Sequence, residues 1–234
     1  EPIFAKQIEN LGVDYIDYYL LHNFQTVYYD GIDGKGGIVK TAHLFDHANK
    51  WKADGKIRHL GFSFHSSAKL LDRILTEHPE VEFVQIPFNY IDCESELVQA
   101  MASYEVICKH GKLAVFMEPV KGGGLSKVPE AVEKKLKELD PGASVASWAI
   151  RFAGSFEGAI CNLSGMSTLE QVKDNIKTVQ TLEPLREAEK AALHEVVKIS
   201  SALPGKVGIL STEQVHIPGW SKVQKKIHVK TAAQ

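Results

Sequence analysis

Six polar residues stand where an apolar run of the sequence stops. His22 follows the run at 15–21 and Ser63 the run at 57–62, while Gln85 sits near the end of the run at 83–86 with Asn89 just past it. Glu118 follows 113–117, and Ser164 follows 159–163. An imidazole at such a place can hydrogen-bond a substrate oxygen or move a proton to it. A neighbouring hydroxyl and carboxamide offer a ligand both a donor and an acceptor without net charge. Two further stretches suit phosphate. In Lys121-Gly122-Gly123-Gly124 the missing side chains let backbone N–H groups come close to a pyrophosphate. Residues 165–168, Gly165-Met166-Ser167-Thr168, open a helical pattern whose free N–H groups and positive dipole end favour an anion. No metal chemistry is encoded in this way. Cys93, Cys108 and Cys161 lie far apart and form no CxxC pair, and they are expected to be reduced, mostly buried thiols.

The elements that must hold these residues follow from periodicity. Each apolar run is followed by a loop and then by apolar positions at helical spacing. A first helix carries Phe4, Ile8 and Leu11 and stops at Gly12. Further helices are predicted over 41–54, 68–77, 96–110, 130–139, 145–152 and 169–180, with a last one running from about 186 to about 200. Alternating strands and helices imply βαβ units in a parallel sheet, and runs this uniformly apolar imply a sheet covered on both faces. An open doubly wound sheet would carry a glycine-rich turn after its first strand, and none follows Leu21. A (β/α)8 barrel instead spreads its polar and catalytic residues over many strand ends. The barrel fits better, with five of its eight strands in the chain.

Composition narrows the class further. Of 234 residues, 44% are hydrophobic and 24% charged, the balance of an ordinary globular α/β protein. A formal net charge of -2 offers no basic field for nucleic acid or an anionic membrane. No apolar run approaches the ~20 residues of a spanning helix. The chain opens Glu1-Pro2-Ile3-Phe4, without an initiator Met or a charged leader, and reads as the interior of a longer, cytoplasmic protein. Residues 1–200 are expected to form the partial barrel. Residues 201–234, with Gly205, Gly208, Pro218 and Gly219 and with Lys222, Lys225, Lys226 and Lys230, are expected to form an irregular basic tail.

The segment Leu11-Gly12-Val13-Asp14-Tyr15-Ile16-Asp17-Tyr18-Tyr19-Leu20-Leu21-His22 resembles the part of the aldo-keto reductases that ends their fourth barrel strand with an active-site His. The likeness continues through Gly61-Phe62-Ser63, Val84-Gln85-Ile86-Pro87-Phe88-Asn89-Tyr90, Glu118-Pro119 and Ser164-Gly165-Met166-Ser167-Thr168, to Gln171-Val172-Lys173-Asp174-Asn175. Five motifs in order over about 190 residues make it specific, and they imply a (β/α)8 TIM barrel of which strands 4–8 are present. By this resemblance the complete protein reduces an aldehyde or ketone with NADP or NAD as cofactor. His22 then bonds the substrate carbonyl oxygen, Ser63 and Gln85 hold the nicotinamide carboxamide, and Met117 packs where much of the family stacks an aromatic ring. Gly122 and Gly123 face the pyrophosphate, Gly165, Met166, Ser167 and Gln171 surround a phosphate, and Asp174 and Asn175 face the adenine.

The departures matter equally. Phe64 stands where the family usually has an Asn beside the carboxamide, and Gly165 and Gln171 stand where NADPH-selective members carry basic residues. The family's general-acid Tyr, with its Lys and Asp, comes from the first three strands, which the chain does not contain. The rival expectation is therefore a catalytically inactive, truncated barrel acting as a nucleotide-binding or interaction module. The motif wording is nearest to a branch that often carries a ferredoxin-like cluster after the barrel. Leu203-Pro204 and Val215-His216-Ile217-Pro218 resemble the flanks of that cluster, but no cysteine lies between them to hold iron.

Overall fold

The structure, a computed structural model, describes residues 2–202; of the expected tail, 201–202 belong to the last helix and 203–234 lie outside the described residues. Five strands, β1 (Ile16–Phe24), β2 (Ile57–Phe64), β3 (Phe83–Pro87), β4 (Leu113–Met117) and β5 (Ala159–Leu163), lie side by side in chain order. Each pairs with the next in parallel. A parallel partner must be reached by a crossover, so helices fill the connections. Helix α1 (Pro2–Leu11) precedes β1; the connections hold α2 (Thr26–Tyr29), α3 (Ile38–Thr41), α4 (Leu44–Ala53), α5 (Ala68–Glu77), α6 (Ala100–Lys109), α7 (Glu130–Leu139) and α8 (Val145–Gly154); α9 (Leu169–Gln180) and α10 (Glu187–Ala202) follow β5.

Side chains alternate across each strand. One set, including Leu21, Phe24, Leu60, Phe62, Phe64, Val84, Ile86, Ala114 and Phe116, is buried in one core with Phe45, Leu71, Ile74 and Ile107 of the helices. Phe116 stacks on Phe88 at 4.0 Å between ring centroids. A second core joins Val132 and Leu136 of α7, Trp148 of α8, and Leu193 and Val196 of α10. The opposite set forms the inner face, where Tyr18 stacks on His59 at 4.6 Å. This face is open among the described residues: Tyr18 is 49% exposed, and Leu113 and Leu163 are each 43% exposed.

The expected elements are found, with shifted ends. The helix foreseen over 41–54 begins as α3 and breaks at His43, which is left-handed with φ 51°. The helix foreseen from 96 starts only at Ala100, because Gln99 is left-handed with φ 54° and its side chain accepts the Ala68 N–H at 3.0 Å. The cysteines correct the reading: Cys93 is half-buried, but Cys108 and Cys161 are exposed. Cys161 lies on β5, an edge strand with no neighbour on its far side among the described residues.

Gly61 opens the inner face to Phe83. A Cβ on Gly61 would meet the Phe83 ring at 2.5 Å, and that ring packs edge-on against Tyr18. Gly61→Ala should therefore cost about 1–3 kcal/mol of unfolding free energy through overpacking, read by urea denaturation. Unchanged stability would show that the Phe83 ring moves aside freely.

Candidate functional site

Because the strands are parallel and sequential, their C-terminal ends form one row. Leu21 pairs with Phe62 and Phe24 with Phe64, so His22 and Asn23 together lie across from Ser63. Ser63 in turn pairs with Gln85. Strand β1 does not stop at His22, as the sequence suggested, but runs on to Phe24 through a register irregularity. Asn23 makes the irregularity possible with φ 66°, a left-handed conformation that Asn tolerates better than most residues. Its N–H donates to the Ser63 Oγ at 2.7 Å, which ties the backbone beside His22 to β2. Ser63 is fully buried. Its oxygen already accepts a bond, so its own proton remains to be given to a ligand. The Gln85 Nε2 donates to the Met117 Sδ at 3.2 Å. A thioether is a weak acceptor, so a ligand oxygen would compete for that N–H with advantage.

A second imidazole stands nearby. His65 follows β2, its backbone N–H bonded to the Phe24 carbonyl at 3.0 Å. Burial, and then the charge of His22, push its pKa down from 6.5 to about 4. His65 is therefore neutral at pH 7, beside the exposed His22.

The loop after β4 is held by buried charge. Lys121 and Asp92, each 4% exposed, form an ion pair. Asn89 is fully buried: its amide donates to Asp92 Oδ2 at 2.7 Å and to the Glu118 carbonyl at 3.1 Å. Its oxygen accepts the N–H groups of Ile91 and Asp92. The loop itself is sharply bent, with Glu118, Lys121, Gly122 and Gly123 at φ 54°, 49°, 60° and 91°. A Cβ built on Gly122, Gly123 or Gly124 would meet nothing within 4 Å, so the space beside the turn is open. The Glu118 carboxyl is raised above its usual range by burial, then by Asp92, against the lowering pull of Lys121.

At the start of α9 the expected anion site is partly filled from within. Thr168 caps the helix and Gln171 completes a capping box, its Oε1 accepting from the N–H of Ser167 at 2.6 Å and of Thr168 at 3.2 Å. A phosphate at these amides must displace the Gln171 carboxamide. Gly165, Met166 and Ser167 are exposed, and a Cβ on Gly165 would have no neighbour within 4 Å. Asn175 donates to Ser164 Oγ at 3.0 Å, turning it toward the strand end. Asp174 accepts from the hydroxyl of Ser144, the cap of α8, at 2.6 Å. It also lines a groove of about 430 Å³ between α8 and α9, with Arg151, Lys177 and Arg186.

A model of the Aldo/keto reductase family matches residues 1–198. The chain belongs to the aldo/keto reductase family. Solved structures of similar fold include an aldo-keto reductase from Bacillus halodurans in its holo form, 22% identical with a TM-score of 0.61, matched over 83% of this chain and 65% of that one. The glycerol dehydrogenase from Gluconobacter oxydans is 19% identical with a TM-score of 0.63, over 87% and 64%. An aldo/keto reductase from Klebsiella pneumoniae in complex with NADP and acetate is 17% identical with a TM-score of 0.62, over 83% and 63%. The chain thus spans just under two thirds of the length of these relatives, and its five-stranded sheet has the fold of their (β/α)8 barrels. No curated protein matches its sequence.

Within this aldo/keto reductase chain, the described tyrosines discussed above are committed away from His22. Tyr18 stacks on His59, Tyr19 donates to Gln7, and Tyr90 is buried in the outer core. Among the described residues no group of three or more metal-binding side chains is assembled, and no helix is long and apolar enough to cross a membrane. Sequence reasoning singled out neither His65 nor the Asp92–Lys121 pair as part of the site. A signal existed for His65, two residues beyond Ser63 and so on the same strand-exit turn. None existed for Asp92, because its partner is 29 residues away.

His65 predicts an acid-side loss of stability. Its folded pKa lies below the unfolded value, so the unfolded chain binds more protons between pH 6.5 and about 4, and stability falls as pH drops through that window. The full loss is at most about 3 kcal/mol. His65→Gln should flatten the pH dependence of urea unfolding over this range. An equally steep profile in the variant would place the acid sensitivity elsewhere.

Proposed function

We propose that these strand ends are the substrate and cofactor site of an NAD(P)H-dependent reductase of aldehydes or ketones. The observation that carries the reading is the row His22, Ser63 and Gln85 on adjacent strands. Ser63 has a hydroxyl proton to give, and Gln85 has an amide oxygen and a loosely held N–H. A nicotinamide carboxamide, itself a donor and an acceptor, fits that pair. The unfilled space beside Gly122 and Gly123 suits a pyrophosphate approaching backbone amides. When bound, the dinucleotide supplies the hydride.

The residues of the chain do the rest. His22 donates an N–H to the carbonyl oxygen and favours the charge that develops there in the transition state. Asn23, bonded to Ser63, fixes the backbone on which that imidazole rides. Met117 packs against the nicotinamide through a polarisable sulfur. Asp174 and Asn175, on the first turns of α9, face the adenine end. Reduced thiols at Cys93, Cys108 and Cys161 suit a cytoplasmic location.

A second reading has its own support. Tyr18, Tyr19 and Tyr90 are engaged elsewhere, so none of these three supplies a tyrosine acid beside His22. The 234-residue chain is then a nucleotide-binding module without turnover. General-acid help is worth roughly 10²–10⁴-fold, so the purified chain should bind NADPH yet oxidise it no faster than solvent does when given a reactive aldehyde. NADPH consumption followed by absorbance measures this, and turnover would reject the module reading. In a form carrying a complete barrel, His22→Ala should lower kcat while leaving cofactor Kd unchanged. Lost cofactor binding with intact kcat would place His22 on the dinucleotide instead.

Neither Gly165 nor Gln171 offers charge to a 2′-phosphate, so NADH and NADPH should bind alike. A charge-assisted hydrogen bond is worth about 1.5–3 kcal/mol. Gln171→Arg should therefore raise the NADPH-to-NADH affinity ratio by about 10- to 150-fold, measured by fluorescence titration. Using the ratio cancels the cost of losing the Gln171 cap. A strong preference for NADPH in the unmodified chain would mean that another residue holds the phosphate.

A further inference from the structure

Two carboxyl groups and one ammonium lie together at the foot of the glycine-rich turn. Lys121 bonds Asp92, and Asp92 also receives the Asn89 amide, so this acid is fully engaged. Glu118 is left over. Its backbone oxygen accepts from Asn89 and from the Lys121 N–H at 2.9 Å, which closes the turn, while its half-buried carboxyl makes no hydrogen bond to a described residue. With all three ionised, the cluster carries one net negative charge within a turn of the Gly122 and Gly123 amides. An anion brought to those amides meets that charge.

We propose that Glu118 couples anion binding at the Gly122–Gly123 turn to the uptake of one proton. The inference rests on the dinucleotide reading given above. A phosphate anion beside the turn disfavours the ionised carboxyl, which takes a proton from solvent and becomes neutral. The groups facing Glu118 are Asp92, from the turn after β3, which opposes its ionisation, and Lys121, from its own loop, which favours it. Burial already biases the carboxyl toward the neutral form. Asp92 cannot take the same role without breaking its pair with Lys121 and leaving a buried cation alone. Affinity therefore falls as pH rises above the free-state pKa of Glu118, by up to about tenfold per pH unit for one coupled proton.

ADP-ribose is the probe, because it carries the pyrophosphate and adenosine without the nicotinamide. Its binding to the 234-residue chain is measured by calorimetry from pH 5 to 7.5, in pairs of buffers of different ionisation heat. The expected result is uptake of up to one proton and affinity that weakens as pH rises, with both effects abolished in Glu118→Gln. That variant should bind with the same affinity at every pH, close to the limit the parent approaches on the acid side. Uptake that persists in Glu118→Gln would overturn the assignment to Glu118. Binding without proton uptake in the parent would overturn the coupling and leave the dinucleotide site standing. No ADP-ribose binding at any pH, with the circular dichroism of a folded chain, would overturn the site and the coupling together.

Discussion

The parallel, sequential ladder governs this molecule. Five strands pair only with their chain neighbours, so residues 63 positions apart, His22 and Gln85, arrive on one rim through two register steps. A one-residue slip in either step would turn a polar rim residue into the helix-packed core, and Phe62 or Ile86 out of it. The core resists that slip. Phe24 stacks on Phe62 and Phe116 on Phe88, each with side chains that have no exposed place to go. Packing on the outer face thus fixes chemistry on the rim.

Where the rim turns away from the sheet, the backbone is held in costly shapes by polar contacts. Asn23, Glu118 and Lys121 all have positive φ. Such residues cost of order 1–3 kcal/mol each and persist when their surroundings determine them. Asn23 is pinned by Ser63, and the β4 turn by Asn89 and the Asp92–Lys121 pair. Breaking one partner of a buried ion pair costs about 3–5 kcal/mol, more than either strained residue, so the pair dominates the shape of the turn. These contacts spend stability on orienting groups that a well-packed apolar loop would leave free.

Much of this was legible in the sequence. The apolar runs located all five strands, since a strand covered on one side by helices selects apolar residues strongly. The rim residues His22 and Ser63 were found because each follows such a run, and Gln85 because it lies near the end of one. Three things were hidden. The extension of β1 past His22 depends on one left-handed Asn, which no periodicity marks. The Gln171 carboxamide sits on the very amides the sequence offers for phosphate, a competition visible only once the helix cap is built. The neutral state of His65 comes from burial, a property of assembled elements rather than of a motif.

The account stands or falls on whether one ligand engages the whole rim at once. Titrating NADP into isotope-labelled 234-residue chain, with the resonances followed by NMR, tests this most directly. The side-chain amide of Gln85 and the backbone amides of Gly122, Gly123, Ser167 and Thr168 should shift together along one saturation curve, while those of α4 and α5 stay still. Shifts confined to the α8–α9 groove around Arg151 and Lys177, with Gln85 unmoved, would contradict it.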